Sequence, residues 1–122
     1  MVVVPEFLLR RIYQKGSLKK LDNGASVVLK NVLGPGFISG FNYVKINGIV
    51  FESQNVKFIT NGQELLGTEV TEENPVAFRL GQSGTLVITG QDCVFEGINK
   101  IVIEAMNPEA GKVQLSIEDN LA

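Results

Sequence analysis

Val44-Lys45-Ile46-Asn47-Gly48-Ile49-Val50-Phe51 spells out a strand reversal. Asn and Gly both tolerate positive φ, which a type I′ turn requires at its two central residues, so Asn47-Gly48 predicts a two-residue loop. That loop pairs Ile46 with Ile49 and Val44 with Phe51. Side chains alternate along a strand, so all four fall on one face of the ribbon. Two further pairs, Asn23-Gly24 and Asn61-Gly62, are candidates for the same reversal.

Working outward, the C-terminal third carries the same signal. Ile101, Ile103 and Ala105 alternate with Lys100, Val102 and Glu104, and Val113, Leu115 and Ile117 alternate with Lys112, Gln114, Ser116 and Glu118. This period-two pattern predicts strands with one face on a core, joined by a loop over residues 106–111, where Pro108 and Gly111 suit a turn. Residues 26–30, 56–59, 75–80 and 85–89 also read as strands, with Gly81-Gln82-Ser83-Gly84 turning the chain between the last two. Residues 5–11 are the exception. Phe7, Leu8, Leu9 and Ile12 predict one stripe of a short helix whose first turn holds Pro5. The expected fold is all-β: residues 1–122 form one antiparallel β-sandwich, jelly-roll or immunoglobulin-like, with at most one short N-terminal helix.

Composition narrows the chemistry. The chain has no histidine and a single cysteine, which excludes Cys/His zinc sites, His-dependent nucleophilic catalysis and an internal disulfide framework. Eleven basic against thirteen acidic side chains leave a net charge of −2, the wrong balance for a protein that neutralises phosphates, so no nucleic-acid partner is expected. The start, Met1-Val2-Val3-Val4-Pro5, lacks the basic residues and the apolar length of a signal peptide, and no stretch is long enough to span a bilayer. A cytoplasmic protein without a membrane partner is the expectation. The charge is unevenly placed: residues 1–61 carry 8 basic and 3 acidic side chains (+5), and residues 62–122 carry 3 and 10 (−7). Separate surfaces would make the molecule a dipole able to associate head to tail, whereas interleaved strands would mix the charges.

No residue is assigned a catalytic, cofactor-binding or metal-binding role, and no cofactor is expected. Glu72-Glu73 and Glu118-Asp119 are the nearest acidic pairs, but neighbours on a strand point to opposite faces, and Glu72-Glu73 reads as a solvated loop. Gly34-Pro35-Gly36 and Gly40, beside Phe37 and Phe41, lack the following helix that a phosphate loop needs and read as a turn or bulge. Arg10, Arg11, Lys15, Lys19 and Lys20 form the one basic cluster, expected on an exposed face or an edge strand. Cys93 has no His or second Cys nearby and reads as a packed thiol. Of Phe37, Phe41, Tyr43, Phe51, Phe58, Phe78 and Phe95, most are expected in the core; two tyrosines and no tryptophan supply a poor platform for stacking sugars.

The order of segments is distinctive: Tyr13-Gln-Lys-Gly-Ser-Leu-Lys-Lys20, Val44-Lys-Ile-Asn-Gly48, Asn55-Val-Lys-Phe58, Pro75-Val-Ala-Phe-Arg-Leu-Gly81, Thr85-Leu-Val-Ile88 and a strand from Ile98 to Glu104 led by Gly97. In this order the chain resembles the small β subunit of the C-glycoside deglycosidases and its stand-alone relatives. The resemblance implies a non-catalytic β-sandwich subunit or accessory domain in carbohydrate metabolism. Its partner would be a larger barrel-type enzyme subunit that carries the chemistry. The alternative is a self-associating domain, a homo-oligomer that binds a carbohydrate or other small ligand.

Overall fold

The computed structural model describes residues 4–121; the reading of the apolar start therefore rests partly on Met1, Val2 and Val3, which lie outside the described residues. A short helix α1 (Glu6–Leu9) runs into a 3-10 turn over Arg10–Ile12. The strands that follow are β1 (Lys19–Leu21), β2 (Gly24–Lys30), β3 (Phe37–Ile38), β4 (Gly40–Ile46), β5 (Ile49–Glu52) and β6 (Val56–Thr60). Then come β7 (Gln63–Leu66), β8 (Val76–Ala77), β9 (Ser83–Thr89), β10 (Gly97–Asn107) and β11 (Gly111–Leu121).

The central hairpin forms as its residues dictate. Ile46 lies opposite Ile49 and Val44 opposite Phe51, and Asn47 and Gly48 take φ of 51° and 87°. Asn61 and Gly62 close the β6–β7 hairpin in the same way, with φ of 49° and 75°. At the C-terminus Ile101, Ile103 and Ala105 face Ile117, Leu115 and Val113 across an eleven-residue ladder.

All the pairings are antiparallel and build two main sheets, ordered β1-β2-β9-β6-β7 and β11-β10-β4-β5. Their apolar faces pack together: Val27, Phe58, Leu86 and Ile88 from the first meet Phe41, Val44, Ile46 and Ile101 from the second in one core. The ring centroids of Phe41 and Phe58 stand 5.3 Å apart across the layers, and Phe78 meets Phe58 edge-on at 5.6 Å. Gly84 makes room for this stack, because a Cβ there would lie 2.3 Å from the Phe58 ring. The fold is an all-β sandwich with one short α-helix among the described residues.

Four local expectations fail. At Asn23-Gly24 the reversal sits one residue early, because Leu21 pairs with Gly24 and the loop is Asp22-Asn23. Residues 75–80 do not form a full strand. Pro75 has no N–H to donate, only Val76 and Ala77 pair (with Ile38 and Phe37), and the Arg79 N–H turns to Gln82 Oε1 at 2.8 Å. The loop expected over 106–111 shrinks to 108–110, because Asn107 Oδ1 accepts the N–H groups of Glu109 and Ala110 at 2.9 and 2.8 Å and the strand runs on to Asn107. Phe7 leaves the helical stripe and is 65% exposed, while Leu9 is buried; residues two apart on a helix stand about 200° apart, so both cannot face one core.

Candidate functional site

At one end of the sandwich the two sheets open into an apolar cleft of about 270 Å³. Leu9 and Ile12 close one side, supplied by the N-terminal helical turn. Leu29 and Phe78 come from the first layer and its loop; Phe41, Ile103 and Leu115 come from the second. The second-layer wall is made by Ile103, Ala105, Val113 and Leu115, which alternate inward along the paired strands β10 and β11.

Two asparagines hold its rim. Buried Asn31 accepts the N–H groups of Leu33 and Gly34 on Oδ1, at 3.0 and 3.3 Å, and donates from Nδ2 to the carbonyl of Phe78 at 2.6 Å. Asn107 donates to the Phe37 carbonyl at 2.9 Å, tying the β10–β11 tip to β3. With its backbone so fixed, the loop from Val32 to Gly36 presents apolar side chains to solvent: Leu33 is 38% and Phe37 50% exposed beside the cleft. The Asn31 and Asn107 side chains are committed to backbone partners, so beside them Leu33 and Phe37 offer apolar surface outward.

A second, shallow depression lies between the N-terminal segment and the outer side of β10–β11, bordered by Arg10, Lys15, Lys100 and Glu118. Arg10 is engaged there, ion-paired with Glu6 and donating from Nε to the Ser116 carbonyl at 3.2 Å. It is larger in volume but shallower, with charged side chains on its rim, and the more enclosed cleft is the better candidate for recognition.

The structure separates the acidic pairs. Glu118 is exposed and Asp119 buried on the opposite face of β11. Asp119 accepts the Tyr13 hydroxyl at 2.6 Å and the N–H groups of Gly16 and Leu18 at 3.0 and 3.3 Å. Burial alone would raise this carboxyl; the donors from Tyr13, Gly16, Leu18 and Asn120 outweigh it and hold it below the ordinary aspartate range. Burial, and then Asp119 itself, push the Tyr13 phenol above its ordinary value. The pair fastens the crossing chain to β11.

Glu72 and Glu73 are exposed in the loop before β8, and no cluster of metal-ligating side chains occurs among the described residues. Cys93 is buried, and burial followed by the Asp92 charge pushes its thiol up. Lys19 and Lys20 lie exposed on the edge strand β1, where the sequence placed them. Phe41, Phe51, Phe58 and Phe78 are core; Phe37 and Phe95 are not. Tyr43 faces outward by alternation with buried Val44 and Ile46 and receives a hydrogen bond from Gln114 at 2.8 Å, while a bulge beside it turns Phe41 into the core.

Gly34-Pro35-Gly36 lies in an irregular loop that bends at Pro35, and its place on the cleft lip was missed. The available signal was the set of large apolar residues, Val32, Leu33 and Phe37, flanking a loop tripeptide that has no strand to bury them.

No helix among the described residues is long and apolar enough to cross a membrane. No curated protein matches the chain. A family model does, that of the hydroxymethylglutaryl-CoA reductase N-terminal domain, over residues 8–122. This overturns the resemblance to the C-glycoside deglycosidase β subunit, and the barrel-type partner and sugar chemistry inferred from it lose their support. The segments that carried it were hairpins and short strands, which any antiparallel sandwich needs for its own turns and core. The chain belongs to the family of hydroxymethylglutaryl-CoA reductase N-terminal domains.

Proposed function

We propose that this chain is a non-catalytic accessory domain that acts by docking onto a catalytic partner through the open end of its sandwich. The observation that carries this reading is the apolar cleft with Leu33 and Phe37 exposed on an anchored lip. Exposed apolar side chains on a fixed loop beside a concave apolar surface suit a protein interface, where a few buried anchors supply most of the binding energy. The family is described as the N-terminal domain of hydroxymethylglutaryl-CoA reductase, which favours the catalytic part of such a reductase as the partner. A cytoplasmic location goes with this reading, since the one cysteine is buried and free.

The test is binding of the purified chain to the reductase of its own source organism, measured by calorimetry. The wild type forms a complex. Leu33→Asp and Phe37→Asp each weaken it by about tenfold or more, with little change in melting temperature. A wild-type chain that does not bind, or variants that bind equally well, would overturn the reading.

A second reading, self-association, has its own observation. Within the first sheet the sequence halves interleave, yet basic side chains prevail on one side, where Glu6, Asp22 and Glu118 also lie, and acidic ones prevail on the other, where Lys57 pairs with Glu64. Arg10, Arg11, Lys15, Lys19 and Lys20 gather on the side of β1 and β11. Glu52, Glu64 and Glu69 line the opposite side, and Glu72 and Glu73 follow in the next loop. Copies with opposite charge on opposite sides attract head to tail.

A further inference from the structure

The chain contains three Asn-Gly pairs, and the fold treats each differently. We propose that Asn61 is a site of spontaneous deamidation through its own backbone, and that Asn47, in an identical pair and the same type of turn, is protected.

In this reaction the Gly62 backbone nitrogen forms a bond to Asn61 Cγ and gives up its proton to solvent base. The Cγ–Nδ2 bond breaks and Nδ2, taking a proton from water, leaves as ammonia, closing a five-membered succinimide. Water then adds to either ring carbonyl. One opening yields aspartate and the other isoaspartate, with the main chain rerouted through the side-chain carbon. No oxidant or cofactor enters, and glycine in the second position presents no side chain to the approach. What remains to set the rate is the freedom of the asparagine side chain and of the peptide that follows it.

Asn47 has neither freedom. Its Nδ2 donates to the Cys93 carbonyl and to Asn99 Oδ1, both at 2.8 Å, and its Oδ1 accepts the Lys100 N–H at 3.0 Å. Its own N–H donates to the Lys100 carbonyl at 2.8 Å, and Asn99 is fully buried. Swinging Cγ towards the Gly48 nitrogen breaks these bonds together and takes from buried Asn99 Oδ1 one of its two donors.

Asn61 and Gly62 are both exposed, and the Asn61 side chain makes no hydrogen bond among the described residues. The turn closes β7, which has only β6 as a neighbour and leaves Gln63, Glu64 and Leu66 exposed. Opening this hairpin end, as the reaction requires, uncovers little. Asn23 is intermediate: it is exposed, but Gly24 is buried so closely that a Cβ there would lie 1.8 Å from the Ile88 carbonyl oxygen, and the Asn23 carbonyl accepts the Gly90 N–H at 2.9 Å. The product has consequences for the acidic side. Aspartate at position 61 adds a charge three residues from Glu64. Isoaspartate lengthens a two-residue turn by one backbone atom, which the pairing of Thr60 with Gln63 cannot absorb.

The experiment ages the whole purified chain at mildly alkaline pH and follows the three sites by peptide mass spectrometry. Enzymatic methylation of isoaspartate provides a second readout. Asn61 converts about tenfold or more faster than Asn47, with Asn23 between them, reflecting the different opening equilibria. In urea the three rates converge, and Asn61→Gln removes the dominant product without changing the other two sites. Equal rates at Asn61 and Asn47 in the folded chain, or conversion led by Asn47, would overturn the proposal.

Discussion

Asp119 is 2% exposed and ionised, a combination that survives because Tyr13, Gly16, Leu18 and Asn120 all donate to it. Asp119→Asn turns an NH2 group towards the N–H donors of the crossing chain, so donor meets donor. The expected loss is about 2–3 kcal/mol, a fall in melting temperature of roughly 10 °C. The pH dependence follows from the directions of the shifts. Asp119, depressed in the folded state, contributes stability that is present above its unfolded pKa of about 4 and lost as pH falls through the folded value. Tyr13, raised in the folded state, contributes stability that is present below about pH 10 and lost as pH rises beyond it. Urea midpoints measured across pH should therefore show a gap between wild type and Asp119→Asn that is constant near neutrality and closes below about pH 4. Gly84 is a second sensitive position. A methyl group there meets the Phe58 ring, which is already wedged between Phe41 and Phe78, and Gly84→Ala should cost about 1–3 kcal/mol by overpacking, read from denaturant unfolding.

The two Asn-Gly hairpins look alike as elements and differ in what their turns hold. Replacing Asn61 by Ala puts at positive φ a residue that tolerates it less well than Asn, a cost of about 1 kcal/mol. Asn47→Ala pays that strain and also releases the Cys93 carbonyl, Asn99 and the Lys100 N–H, so its cost should be about 2–4 kcal/mol. Equal losses by calorimetry would show that the loop over residues 90–97 does not depend on Asn47. The turns at 47 and 61 were legible because a two-residue hairpin makes a local demand that Asn-Gly meets. Asn23-Gly24 misled for an equally physical reason: Gly24 serves not the turn but the packing of β2 against the Ile88 carbonyl, a contact 64 residues away in sequence that no local pattern reveals. The inward faces of β10 and β11 were legible by alternation, while residues 75–80 carried strand-like composition and found a partner only at Val76 and Ala77. The cleft was not legible at all, since its walls come from the N-terminal turn, the loop over 31–36 and both layers, which no local pattern brings together.

For the whole molecule, the first sheet interleaves the sequence halves and the second sets them side by side, while basic side chains prevail beside β1 and acidic ones beside β7. In the order β1-β2-β9-β6-β7, the basic and acidic edges are four strand spacings apart, about 19 Å. That separation exceeds the Debye length of about 8 Å at physiological ionic strength but not the 30 Å reached at 0.01 M salt, so the two sides act as one dipole only when salt is low. Exposed ion pairs are each worth at most about 1 kcal/mol, and the head-to-tail contact should be weak and salt-sensitive. Sedimentation velocity should show a coefficient that rises with protein concentration at low salt and becomes concentration-independent at high salt. Lys19→Glu with Lys20→Glu, or Glu72→Lys with Glu73→Lys, should each abolish the rise when tested alone. Mixing the two double variants restores it, because each retains the side that the other has lost. Association that persists at high salt, or a mixture that stays monomeric, would leave the apolar end of the sandwich as the surface through which this domain meets another protein.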